Sequence, residues 1–89
     1  MPDPDLIYGA LADPTRRSMV DALLRDGTTS VPALTAELPI TRQAVAKHLA
    51  TLDEAGMIER VPGPGREVRY QLTRGWDQRL ERLKRLVEG

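Results

Sequence analysis

The 89-residue chain contains no cysteine, no phenylalanine and only one histidine. Without thiols it can form no disulfide and no thiolate metal site, and His48 alone, with no clustered carboxylates, leaves a metal ion short of ligands. Aromatic residues amount to one Trp and two Tyr, so the core has to be aliphatic. No apolar run approaches the roughly 20 residues that span a bilayer. The opening "MPDPDLIYGALADP" lacks the basic region and apolar run of a secretion signal. A soluble, cytoplasmic protein is the expectation. Catalytic groups have no partners in sequence either. The "GPG" stretch is followed by a strand and not a helix, so it does not read as a phosphate cradle. Neither enzymatic activity nor a cofactor is expected.

An excess of one charge is also missing. Thirteen basic and thirteen acidic residues cancel, whereas domains that bind nucleic acid are often strongly basic. The charges are unevenly placed, however. Residues 1–39 hold three basic and six acidic groups, and residues 40–89 hold ten and seven. The second half is therefore the positive one.

Local signals predict five helices and a hairpin within a single domain spanning residues 1–89. "PDLIYGALA" forms a short first helix with Leu6, Ile7, Ala10 and Leu11 on its apolar side. In "DPTRRSMVDALLRDG", Asp13 is the N-cap, Pro14 occupies the first helical position and Gly27 ends the helix. Met19, Val20, Leu23 and Leu24 form its buried stripe. A third helix starts near Ser30, turns Leu34 and Leu38 inward and stops before Pro39. Thr41 caps a fourth helix that runs to about Ala55 and closes at Gly56. On it Val45, Leu49 and Leu52 recur at the helical period, leaving a blunt polar face outside. The third and fourth helices, about residues 31–55, make a helix-turn-helix. The period then changes to two. "MIERV" and "REVRYQL" form a hairpin over about residues 57–73, with Val68, Tyr70 and Leu72 expected inward and Glu67, Arg69 and Gln71 outward. A basic-tipped hairpin directly after a helix-turn-helix has the form of a wing. Trp76, Leu80, Leu83 and Val87 stripe a last helix. The fold class is mainly α with a small β-hairpin, a winged helix-turn-helix in the order α-α-α-α-β-β-α.

The segments "LADPTRR", "ITRQAVAKHLATLDEAGMIERV" and "GREVRYQLT" together resemble the ArsR-type winged helix-turn-helix transcriptional repressors of bacteria and archaea, over roughly residues 6–74. The resemblance implies a homodimer on double-stranded DNA, placing two recognition helices in successive major grooves of an inverted-repeat operator. In the family the first and last helices build the dimer interface. Here that implies Leu6, Trp76, Leu80, Leu83 and Val87, apolar residues for which a chain this short offers little cover. The DNA contacts carry over to Thr41, Arg42, Gln43, Ala46 and Lys47, with Arg66 and Arg69 on the wing. Their chemistry suits the task. Arg42 can bind guanine at two points and Gln43 adenine, Thr41 and Lys47 can hold phosphate, and small Ala46 permits close approach.

This chain departs from the family pattern in two ways. Pro39 stands in the turn where glycine is frequent, and proline cannot take a positive φ. The cysteine box of the metal-sensing members falls at about Ser30 and Pro32. The alternative metal site of Asp and His on the last helix meets only Asp77 and Glu81. A member without a metal to sense is implied, and no residue identifies an inducing effector. His48 is expected as a packed or boundary residue. Arg16 and Arg17 fit phosphate contact and local acid pairing equally well. A winged helix that binds another protein rather than DNA is the alternative that zero net charge favours.

Overall fold

The computed structural model describes residues 4–76, 78–80, 82 and 85, with side chains from residue 8 onward. Its elements are α1 (Pro4–Ala12), α2 (Pro14–Asp26), β1 (Thr28–Thr29), α3 (Val31–Glu37), α4 (Arg42–Glu54), β2 (Ile58–Pro62) and β3 (Val68–Leu72). Helical residues follow from Trp76.

Short-range chemistry sets the helix starts. Asp13 accepts from the amides of Thr15 and Arg16, Ser30 from Ala33 and Thr41 from Ala44, each satisfying donors that a helix leaves open at its first turn. α4 ends in a complete Schellman motif. The Gly56 amide donates to the Asp53 carbonyl at 2.9 Å and the Met57 amide to Leu52 at 3.1 Å, with Gly56 at a φ of 75°. The motif delivers Met57 straight into the core.

The turn between α3 and α4 resolves the Pro39 problem. Leu38 is extended, and the Ile40 amide donates to the Leu38 carbonyl at 2.9 Å across Pro39. This three-residue bend suits the fixed φ of proline and needs no left-handed residue.

Two expectations about the strands need correction. The hairpin is part of a three-stranded antiparallel sheet in the order β1-β3-β2, with Thr28 opposite Gln71 and Thr29 opposite Tyr70. β1 is only two residues long and pairs with a strand some forty residues away, so no local period could reveal it. β3 is consequently the central strand, and the clean inward–outward alternation expected of it is absent. Tyr70, Leu72, Arg69 and Gln71 are all half-buried, and Val68, expected inward, is 45% exposed because it lies out on the wing beyond the core.

The core joins Met19, Val20 and Leu23 of α2, Leu34 of α3, Val45, Leu49 and Leu52 of α4, and Met57 and Ile58 entering the sheet. Trp76 and Leu80 belong to it as well, at 5% and 3% exposure within the single chain. Both are therefore covered within the chain itself, more than the sequence stripe alone implied. Their sequence stripe showed an apolar side but not its direction. Leu83, Val87 and the side chain of Leu6 lie outside the described residues.

Candidate nucleic-acid interface

α4 is anchored from beneath by Val45, Leu49 and Leu52, all inside the core, and from the side by α3 across the Pro39 bend. Thirteen residues at 1.5 Å rise give a rod about 20 Å long. Thr41, Arg42, Gln43, Ala46 and Lys47 are all exposed. At about 100° per residue, Arg42, Gln43, Ala46, Lys47 and Ala50 fall within an arc of about 140°. No side-chain partner holds Arg42, Gln43 or Lys47 among the described residues, whereas the Thr41 hydroxyl accepts from the Ala44 amide at 3.1 Å. Thr41 is therefore already engaged as a cap, with its hydroxyl hydrogen still available to donate.

The wing tip is a tight turn. The Glu67 amide donates to the Pro64 carbonyl at 3.1 Å, Gly65 has a φ of 62°, and among the described residues no non-glycine residue has a positive φ. These are the signs of a type II′ turn, which needs glycine at its first central position. Arg66 follows Gly65 at the apex, exposed and unpaired.

Arg69 is placed differently. Its Nε donates to Thr28 Oγ1 at 2.9 Å, its Nη2 to the Thr28 carbonyl at 3.3 Å, and its Nη1 pairs with Glu67 at 3.2 Å. Arg66 and Arg69, expected to share one role, differ in the structure, the first a free cation among the described residues and the second an engaged one. Nothing local signals this, because Thr28 is far away in the chain.

Arg16 is engaged as well. Its Nε and Nη2 donate to the carbonyls of Ala10 and Gly9, both at 2.9 Å, closing the last turn of α1. Its Nη1 lies 3.2 Å from His48 Nδ1 and 3.9 Å from Asp13. A guanidinium has no acceptor, so in a hydrogen bond between the two the imidazole nitrogen accepts. His48 is thus the half-buried boundary residue expected, tying α4 to the α1–α2 junction. Arg17, beside it, is exposed and unpaired. The Asp13 carboxyl is held below its ordinary range, first by the hydrogen bond from the Arg16 amide, then by that from Thr15 and by the nearby charge of Arg16.

Arg60 went unnoticed in the sequence. It is exposed and unpaired on β2, opposite Tyr70, and β2 is an edge strand once the sheet order is known. With Arg42, Lys47 and Arg66 it adds to the uncompensated cations of the second half.

The positions of the cysteine box do not suit a metal. Ser30 is buried with its hydroxyl accepting from Ala33, and Pro32 offers no donor atom. Among the described residues no group of three His, Asp or Glu side chains could hold an ion. Asp77 and Glu81 lie outside the described residues.

Residues 11–61 match the helix-turn-helix domain family. The chain is 33% identical to the HTH-type transcriptional regulator Rv2034 of Mycobacterium tuberculosis, over 97% of this chain and 90% of that protein. The solved structure of an ArsR-like transcriptional regulator from Rhodococcus sp. RHA1 superimposes with a TM-score of 0.71 at 33% identity, covering 94% of this chain and 89% of that one. The NMR structure of the cadmium metal-sensor CMTR from Mycobacterium tuberculosis gives 0.76 at 36% identity, covering 96% and 87%. Across the curated relatives it matches, the chain spans from 43% to 90% of their lengths.

Proposed function

Because the chain belongs to the ArsR-type winged helix-turn-helix transcriptional regulators, we propose that it is a dimeric repressor that grips an inverted-repeat operator through α4 and the wing. The presentation of Arg42, Gln43 and Lys47 carries this reading. Among the described residues they have no side-chain partners, and they stand on a helix whose apolar side is wholly buried. Two-point donors on a rigid rod can read base edges in a major groove about 12 Å wide. Lys47, Thr41, Arg66 and Arg60 supply phosphate contact, and Ala46 keeps the approach close. Two copies related by a twofold axis would place their α4 helices one turn of DNA apart. The exposed Tyr8 on α1 supports a second chain covering that helix. No helix among the described residues is long and apolar enough to cross a membrane, and action on DNA in the cytoplasm goes with this reading.

The experiment is fluorescence anisotropy of the protein with a duplex from upstream of its own gene, against a scrambled duplex, over a salt series. Preferential binding with a steep negative slope of log affinity against log salt is the expected result. No binding to either duplex at low salt would overturn it in favour of a protein partner, the reading that zero net charge favours.

A further inference from the structure

We propose that Arg69 is a positioning residue that sets the wing against the helix-turn-helix, so that Arg66 at the tip meets the DNA that α4 reads. The inference rests on the DNA-binding reading above. A two-stranded hairpin is marginal by itself and needs a third element to hold it. β1 supplies that element here. It runs directly into Ser30, the cap of α3, so whatever grips β1 grips the helix-turn-helix. Arg69 reaches across from β3 to grip Thr28 twice, through its hydroxyl and its carbonyl. The same guanidinium holds Glu67 at the base of the wing turn. The loop closes over the methylenes of Arg69. A Cβ added at Gly63 would lie 2.8 Å from Arg69 Cγ and 3.0 Å from the Glu67 carbonyl, so glycine is needed for that approach. A second ion-pair group flanks this brace. Arg25 of α2 joins Asp26 to Glu37 of α3, with 2.8 Å contacts on both sides. The Asp26 carboxyl is held low mainly by Arg25, with Arg69 contributing from a distance. β1 and the wing turn therefore meet at Arg69, and the ion pairs that join α2 to α3 lie close enough for its charge to be felt at Asp26. Three of the five N–H donors of Arg69 are committed, which leaves it less open to a phosphate than Arg66.

The test compares Arg69→Lys, Arg69→Ala and Thr28→Val. Lysine keeps the charge but cannot reproduce the fork, and valine removes the Thr28 hydroxyl without altering any charge. Because the chain has no cysteine, Pro64→Cys carries a single nitroxide at the wing, and its spectrum reports wing mobility without DNA. Binding is read by anisotropy on a random-sequence duplex over a salt series, with and without Arg66→Ala. All three variants should sharpen the nitroxide spectrum. Arg66→Ala should lower the salt slope by about one unit per wing in the parent and by little in Arg69→Lys. Lys47→Ala should have the same effect in both backgrounds. Parent-like behaviour of Arg69→Lys would mean that charge alone suffices and would overturn the proposal. So would an unchanged nitroxide spectrum, additive effects of Arg66 and Arg69, or loss of the Lys47 effect as well, which would indicate general unfolding. If the parent binds no duplex while its nitroxide responds as expected, the DNA reading fails and Arg69 is an internal tie only.

Discussion

Arg42 and Gln43 occupy the first turn of α4 with different chemistry, and Lys47 lies one turn further along. A fork and an amide can each address a base at two points, while an ammonium is a point charge suited to phosphate. Arg42→Ala or Gln43→Ala should flatten discrimination between operator and scrambled DNA by about 1–3 kcal/mol per lost base contact. Lys47→Ala or Arg66→Ala should weaken both duplexes alike and reduce the salt slope by about one unit. Anisotropy on both duplexes separates the two classes, and binding unaffected by all four changes would refute the docking mode. These residues could be named from sequence because exposure at a helix start follows from the cap and the 3.6-residue period. The long-range ties of Arg16 and Arg69 could not. Arg16 has its local acid, Asp13, at 3.9 Å as the sequence allowed, but His48 and Thr28 lie 32 and 41 positions away, and only the packed chain brings them near.

The elements depend on a few local devices with different sensitivities. α4 rests on Leu52, which is fully buried, and Leu52→Ala should cost about 2–5 kcal/mol by leaving a cavity under the recognition helix. Urea unfolding measures that directly. α2 depends on a carboxylate cap, which makes its start acid-sensitive. The pKa of Asp13 is lowered in the folded chain, so its contribution is complete above the ordinary value of 3.8 and is lost as the pH falls through the depressed one. Stability should decline as the pH falls below 3.8, and Asp13→Asn, which keeps a capping oxygen without the titration, should show a shallower decline in urea midpoint. A decline equally steep in Asp13→Asn would assign the acid sensitivity elsewhere. Caps and the Schellman stop are local codes, which explains why helix boundaries were legible within a residue or so. β1 is the opposite case. Two threonines have no period, and their strand character comes entirely from the pairing with β3.

At the scale of the whole molecule, Trp76 and Leu80 are the informative pair. A stripe with no visible cover suggested an interface, but the chain folds these residues into its own core, with Arg79 lying 5.4 Å above the Trp76 ring. Among the described residues Tyr8 on α1 is the most exposed large apolar side chain, at 66%, with Val68 of the wing next. A domain of this size buries only about 60–65% of its unfolded surface, so covering α1 with a second copy would add apolar burial that the monomer lacks. If the proposed dimer forms through α1, Tyr8→Asp should weaken it by roughly tenfold or more in sedimentation equilibrium. Trp76 offers an independent check, because it is the only tryptophan. On dilution through the dimer–monomer transition its emission maximum should stay blue-shifted, since its cover comes from the same chain. A red shift on dilution would put Trp76 back at the interface and remove Tyr8 as the anchor. A constant maximum with a Tyr8-dependent dimer would assign the association to the outer face of α1.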